Sequence, residues 1–271
     1  LNLLRTQKII RRFKRVQNLI VGNYSNLEKL NLINRIEFDN LILLDDGIGT
    51  IEINNRRKNN ISMLRSLTNK GDYKVLVKVF LLGYKINHPK SVCFFTIYNV
   101  EVGANDKVVK NNFNETKMLI SALKRTDEVY FLGGPSSEIY PELLSEENYF
   151  NYLKRVENYF KTKHLIYFPH KAESAEKVRK IDYDLRITIK RIDLPIELFL
   201  LNQKEMPGII SGFISSALVN CKEIFGDGLE IISIKISSDK IMTKFLIPDT
   251  ENVYNYFHKI SDAKFKVVCV D

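Results

Sequence analysis

Short apolar runs that end in polar turn residues recur along the chain and predict buried parallel strands. Asn40–Leu44 runs into Asp45-Asp46-Gly47, and Val129–Leu132 runs into Gly133-Gly134-Pro135. Strands covered on both faces read as continuous apolar runs rather than as alternating ones. Open α/β sheets bind their ligands at the carboxyl ends of such strands, so these turns are candidate functional positions.

Beyond residue 125 the predicted strands and helices alternate at regular intervals. Strands are predicted at 129–132, 164–168, 186–190 and 229–236, helices at 146–161, 172–180 and 195–202, and the segment 208–212 leads into a further helix that ends at Phe225. Ser145 is a suitable N-cap for the first helix, and Pro195 opens the third at its first turn. This alternation is typical of a doubly wound parallel sheet.

The first half of the chain carries fewer clear elements. Residues 3–16 predict a basic amphipathic helix, and packing on the domain surface is favoured over contact with a membrane. Strands are expected at 16–21 and 92–98, a turn region at 99–110, and a loop or disordered lid at 54–70 before a second basic amphipathic stretch around 74–82. We place the domain boundary near residue 125.

Composition narrows the class of protein. The 271 residues are 45% hydrophobic and 27% charged, and no apolar run approaches the roughly 20 residues of a membrane-spanning helix. Charges interrupt the N-terminus, so a cleaved signal is not expected, and the three cysteines form no C-x-x-C pair. A net charge of +9 favours an anionic partner. The chain begins with Leu1 rather than Met, which is compatible with a segment missing upstream or with a reduced first domain that a partner subunit completes.

Three predicted loops are expected to meet at one edge of the second sheet. They are Gly133–Ser137, Pro169-His170 and Ser215-Ser216. Glycine allows close backbone approach, hydroxyls and helix N-terminal amides bind anions, and an imidazole can donate a proton. Together they predict a nucleotide phosphate site, although each alone is as compatible with an ordinary turn, an N-cap or a packing histidine. His88, His164 and His258 are interpreted as structural or surface residues.

The paired aspartates Asp45 and Asp46 offer a general base for an acceptor hydroxyl. Paired carboxylates also bind hard cations, but neighbouring residues at a strand end point to opposite faces, so no metal site is predicted. A structural Asp-Gly turn at Gly47 is the competing interpretation.

The ordered combination of motifs over about residues 40–225 resembles the bacterial sialyltransferases of glycosyltransferase family 52, which include lipooligosaccharide and capsular enzymes. The motifs are Leu-Leu-Asp45-Asp46-Gly47, Phe95–Tyr98, Phe131–Pro135, Tyr167–Ser174 with Lys177, Pro195–Glu197 and Gly212–Leu218. In this chain Pro169 precedes His170, whereas the wider sialyltransferases show a histidine followed by proline.

The resemblance implies an α/β enzyme of two Rossmann-like domains facing a cleft (GT-B type), here 1–125 on the acceptor side and 126–271 on the CMP side. The N-terminal domain would be incomplete, since only one strand is predicted before Asn40. Such an enzyme moves sialic acid from CMP-sialic acid to a terminal galactose, with inversion, without a cofactor or metal ion, and in an α2,3 linkage by family habit.

The resemblance also implies roles for individual residues. Asp45 would be the general base beside Asp46 and Gly47, and His170 would protonate or stabilise the departing CMP phosphate. The residues that would bind the nucleotide are Gly134, Pro135, Phe168, Pro169, Glu197 (ribose hydroxyls), Ser215 and Ser216 (phosphate).

The resemblance further suggests a homodimer in the cytoplasm, with a glycan acceptor and peripheral contact with the inner membrane. A transferase that uses another nucleotide sugar remains the alternative within enzymes, and a basic nucleic-acid-binding protein is the alternative from a different class. The cations are spread through the chain and no helix-turn-helix or RNP-like sequence is evident, so no nucleic-acid partner is predicted.

Overall fold

The structure, a computed structural model, describes residues 2–62, 77, 79–118, 120, 124–138 and 142–270. The chain divides into two compact units, Leu1–Asn111 and Asn112–Asp271. The first unit therefore ends before the boundary expected near residue 125. Among the described residues, no helix has the length and apolar character needed to cross a membrane.

Unit 1 is a four-stranded parallel sheet with helices between its strands. Its elements are α1 (Asn2–Arg12), β1 (Arg15–Val21), α2 (Leu27–Ile33), β2 (Glu37–Leu44), α3 (Gly49–Lys58), β3 (Cys93–Thr96) and β4 (Lys107–Lys110). The strands lie in the order β1-β2-β3-β4, and every neighbouring pair is parallel. Alternate residues such as Leu41, Leu43 and Phe94 point to one face and form the core with Tyr24 and Leu30.

Unit 2 contains the second sheet. Its elements are α4 (Asn114–Met118), β5 (Lys124–Arg125), β6 (Glu128–Leu132), α5 (Glu146–Tyr159), β7 (His164–Phe168), α6 (Ala175–Asp184), β8 (Thr188–Ile189), α7 (Ile196–Leu201), β9 (Glu205–Met206), β10 (Ile209–Gly212), α8 (Ser216–Phe225), β11 (Glu230–Ile234), α9 (Ile247–Lys259) and β12 (Phe265–Val268).

The strand order of unit 2 has a single point of reversal. The six-stranded sheet runs β12-β11-β10-β6-β7-β8 with all neighbours parallel, and β5 pairs separately with β9. The chain starts at β6, proceeds outward through β7 and β8, then returns to β10 on the other side of β6. This is the order of the Rossmann fold, and the reversal between β6 and β10 leaves a crevice at their carboxyl ends.

The structure confirms the α/β class with parallel sheets and several of the predicted elements. β7 spans His164–Phe168 as predicted, and α5 begins after Ser145, whose Oγ accepts a hydrogen bond from the Asn148 N–H at 3.1 Å. α6 begins three residues later than predicted, at Ala175, because Ser174 caps it by accepting from the Lys177 N–H at 3.1 Å.

Two predictions for unit 1 are wrong in part. The start of the predicted loop 54–70 is the end of α3, and the turn region 99–110 ends in strand β4. The polar residues of α3 are buried through distant partners: Asn54 donates to the Glu101 carbonyl at 3.0 Å, and Arg57 pairs with Asp106. Residues 63–76 and 78 of the predicted loop and of the second amphipathic stretch lie outside the described residues.

The Arg57–Asp106 ion pair joins α3 to the segment that precedes β4. Arg57 donates from Nε and Nη2 to the two carboxylate oxygens at 2.8 and 2.5 Å, and the two side chains are only 7% and 4% exposed. Burial alone would lower the pKa of Arg57, but its bonds to Asp106 and Tyr24 raise it above its ordinary value. Burial also raises the pKa of Tyr24 to about 12.

Replacing Arg57 by methionine tests this pair. The Arg57→Met variant leaves the Asp106 carboxylate buried without its cation, so we expect a loss of about 3–5 kcal/mol in the free energy of unfolding. Lys58→Met on the same helix breaks an exposed pair with Glu101 and should cost less than about 1 kcal/mol. Urea unfolding measures both, and equal costs would contradict the role given to the buried pair.

Candidate functional site

The predicted phosphate-site loops of unit 2 leave adjacent strands at the same level. The register pairs Leu132 with both Phe168 and Gly212, which are the last residues of β6, β7 and β10. The loops that follow therefore share the carboxyl edge of the sheet at its point of reversal. This edge brings together seven of the predicted residues, namely Gly134, Pro135, Phe168, Pro169, His170, Ser215 and Ser216.

Helix α8 presents its N-terminus at this edge. Ser215 is its N-cap, with an Oγ that accepts from the Ala217 N–H at 3.3 Å, and Ser216 is its first residue. Both serines are half-buried, so part of their surface is accessible at this edge. A helix N-terminus with hydroxyl donors suits a phosphate, because the orphan amides and the helix dipole both favour negative charge.

His170 is exposed, and its ring orientation is fixed by the backbone. The ring Nδ1 accepts a hydrogen bond from the Ala172 N–H at 3.1 Å. The backbone N–H of His170 donates to Glu173 Oε2 at 2.7 Å. Because Nδ1 is the acceptor, the neutral ring carries its proton on Nε2. The imidazole therefore has an Nε2–H group that can donate a hydrogen bond to an anion at this edge.

Beneath these loops lies a buried ion pair that sequence reasoning missed as a functional unit. Lys177 and Glu173 side chains are 1% and 0% exposed, and their charged atoms lie 2.8 Å apart. Lys177 Nζ also donates to the Gly134 carbonyl at 3.0 Å, contacts Glu138 at 3.3 Å, and lies 3.6 Å from the ring centroid of Tyr149. The available signal was the spacing of four residues between Glu173, which directly precedes the Ser174 N-cap, and Lys177 in the first turn of α6.

Two tyrosines extend this cluster into a hydrogen-bond chain with a single direction. Tyr167 donates to Glu173 Oε1 at 2.6 Å, so Tyr149 is the donor in the 2.7 Å bond between the two hydroxyls. Tyr149 in turn accepts from the Gly134 N–H at 3.1 Å. Burial, and then the charge of Glu173, raise the pKa of Tyr149 well above its ordinary value, and burial with Tyr149 and Glu173 does the same for the pKa of Tyr167.

The hydrogen bonds of this network engage the polar groups of the Gly133-Gly134 turn. The Gly134 N–H is used by Tyr149, and its carbonyl accepts from Lys177 and from the Ser136 N–H at 2.8 Å. The Gly133 N–H donates to the Phe168 carbonyl at 2.9 Å. The polar groups of Gly133 and Gly134 named here are therefore engaged within the protein, whereas the hydroxyls of Ser215 and Ser216 and the His170 ring can donate to an anion.

Phe168 and Glu197 lie away from the loop tips. The Phe168 ring is buried against Tyr130 and Phe199, with centroids 4.7 and 5.7 Å away, so it belongs to the packing of the sheet. Glu197, in the first turn of α7, accepts from the Asn220 amide at 2.6 Å. Asn220 lies four residues after Ser216 on the same face of α8, so Glu197 stands about one helical turn from the N-terminus of α8.

In unit 1 the two predicted aspartates occupy different environments at the carboxyl end of β2. Asp45 accepts through Oδ1 from the Thr50 hydroxyl and through Oδ2 from the Ile97 N–H, both at 2.8 Å. It thereby ties the turn after β2 to α3 and to the end of β3. Asp46 is exposed, and Gly47 takes a left-handed conformation with φ of 60°. Among the described residues, no group of three His, Cys, Asp or Glu side chains is placed to hold a metal ion.

Comparison of the chain with protein-family models finds no match, and comparison with curated proteins finds none either.

The Gly133 position offers a test of how tightly the network is packed. A methyl group there would overlap Glu173 Oε2 and the Tyr167 hydroxyl, whereas the nearest atom to one at Gly134 is Ser136 Oγ at 3.8 Å. We expect Gly133→Ala to lower the free energy of unfolding by about 1–3 kcal/mol, as overpacking does. Gly134→Ala is the matched control and should be near neutral in urea unfolding; equal behaviour of the two variants would contradict the packing described.

Proposed function

We propose that the chain is a glycosyltransferase of two Rossmann-like domains that moves sialic acid from CMP-sialic acid to a terminal galactose of a bacterial surface glycan. The observation that carries the proposal is the carboxyl edge of the second sheet. There the N-terminus of α8 and the Nε2–H of His170 lie at the strand-order reversal, where Rossmann folds bind nucleotides. The ordered motifs of residues 40–225 add the choice of CMP-sialic acid.

In this proposal the donor phosphate binds at Ser215, Ser216 and the first amides of α8. The acceptor hydroxyl oxygen attacks the anomeric carbon of sialic acid while the bond from that carbon to the phosphate oxygen breaks, so the configuration inverts. The departing CMP phosphate receives a hydrogen bond from His170 Nε2–H. Glu197 serves the ribose, since it flanks α8 one turn from the phosphate.

The acceptor proton goes to the aspartate pair of unit 1. Expectation from the resemblance assigns the base to Asp45, but both oxygens of that carboxylate already accept hydrogen bonds. The exposed Asp46 is better suited to approach a hydroxyl, with Asp45 holding the turn. The proposal is completed by an α2,3 linkage, no metal ion, a homodimeric state and action in the cytoplasm at the inner membrane.

Binding of free nucleotides tests the donor site. With EDTA present, calorimetric titration should give micromolar to millimolar affinity for CMP and weaker binding of UMP. Ser216→Ala removes one hydroxyl donor to the phosphate, so CMP affinity should fall by about 1–3 kcal/mol. Ser261→Ala is the control. The Ser261 hydroxyl donates to the Phe257 carbonyl at the end of α9, so its removal should leave CMP binding unchanged.

Preference for UMP would shift the proposal to a transferase of another nucleotide sugar. Binding of neither nucleotide by the folded chain would overturn the donor site itself.

The aspartate pair is tested by two conservative variants. Asp46→Asn should lower sialyl transfer by about 10²–10⁴-fold, the usual contribution of a general base, with CMP affinity and melting temperature unchanged. Asp45→Asn should lower the melting temperature as well, because it weakens the bonds to Thr50 and Ile97. Full activity of Asp46→Asn, with loss confined to Asp45→Asn, would return the base to Asp45.

A further inference from the structure

The beginning of the chain carries an unbalanced positive charge. Before Glu28 there are six cations and no Asp or Glu. The cations are Arg5, Lys8, Arg11, Arg12, Lys14 and Arg15. Five of the six lie in or directly beside α1, and Lys8, Arg11, Arg12 and Lys14 are exposed. Such a density of one charge on one short segment favours an anionic surface.

Helix α1 also turns apolar side chains outward. Ile9 and Phe13 are 42% and 45% exposed, and the Phe13 N–H donates to the Ile9 carbonyl at 2.9 Å, so the two lie one turn apart on one face. The Arg12 guanidinium lies 5.3 Å from the centroid of the Phe13 ring. Ile10 is half-buried, and α1 packs against α2. The exposed stripe therefore combines apolar and cationic groups.

A second exposed apolar segment lies close in sequence to a residue that bonds to α2, the helix against which α1 packs. Phe80, Leu81 and Leu82 are 72%, 78% and 51% exposed, and three consecutive exposed large apolar residues are unusual on a protein surface. Three residues after Leu82, the Lys85 N–H donates a hydrogen bond to the Asn31 side chain near the end of α2 at 2.9 Å. Both apolar segments are thus held by α2.

We propose that α1 and Phe80–Leu82, here called the basic apolar surface, bind the surface of a lipid bilayer that carries anionic headgroups. Apolar side chains of an amphipathic helix enter the headgroup boundary while flanking cations pair with anionic lipids. Both kinds of group are present on α1, and Phe80–Leu82 supply further apolar side chains. A nucleic acid would use the cations but would give no reason to expose Phe80 and Leu81. The inference names the residues behind the membrane contact of the proposed function, and it is tested without measuring sugar transfer.

Vesicle flotation of the purified chain tests the surface. We compare vesicles of phosphatidylcholine alone with vesicles that contain about one third phosphatidylserine. Arg11→Glu/Arg12→Glu should weaken binding to the anionic vesicles by about 25-fold or more, at about fivefold per cation lost and with added repulsion from the two new carboxylates. Phe80→Ser/Leu81→Ser keeps the charge and should weaken binding by about tenfold or more through lost apolar burial.

Matched controls separate the surface from the overall charge and folding of the chain. Lys204→Glu/Lys259→Glu reverses two exposed cations of unit 2, and Tyr183→Ser removes a side chain that is 91% exposed on α6. Both should bind anionic vesicles as the parent chain does, and all variants should keep its melting temperature, since every altered side chain is exposed.

Equal loss in Lys204→Glu/Lys259→Glu would overturn the proposal, because binding would then follow net charge. Binding to duplex DNA of random sequence with no binding to either vesicle would overturn it in favour of a nucleic-acid surface.

Discussion

The carboxyl edge of the second sheet depends on one buried cation, the ammonium group of Lys177. A charge removed from water is tolerated only when it is paired and hydrogen-bonded, and removing one partner of such a pair is strongly destabilising. Glu173, Glu138, the Gly134 carbonyl and the Tyr149 ring supply that environment. These partners come from the loop after β6, from α5 and from the loop between β7 and α6, so satisfying Lys177 links all three to α6.

The same constraint divides the edge into an inner and an outer set of groups. The chain of bonds from the Gly134 N–H through Tyr149 and Tyr167 to Glu173 uses the inward-facing polar groups of the turn. Glu173 also receives the His170 N–H, so the loop that carries the imidazole rests on the buried pair. The outer set includes the exposed His170 ring and the half-buried serines at the N-terminus of α8.

Local sequence patterns were sufficient to predict the elements whose burial depends on residues nearby in the sequence. The apolar run of β7 and the Ser145 cap of α5 carry their signals within a few residues, and both elements form where predicted. The end of α3 was not predicted, because its Arg57 is buried through an ion pair with Asp106, which lies 49 residues away. The site shows the same limit: strand ends located Asp45 and His170, but the bond from the Ile97 N–H to Asp45 spans 52 residues, and no local spacing indicates it.

The turn after β2 in unit 1 and the loop after β7 in unit 2 are held in the same way. A turn at the carboxyl end of a parallel strand must be held in place while a polar group stays exposed, and here different side chains do the two. In unit 1 Asp45 holds the turn and Asp46 is exposed. In unit 2 Glu173 holds the loop and His170 is exposed. In the proposed reaction this division of roles favours the exposed Asp46 as the base, because the two oxygens of Asp45 hold the turn.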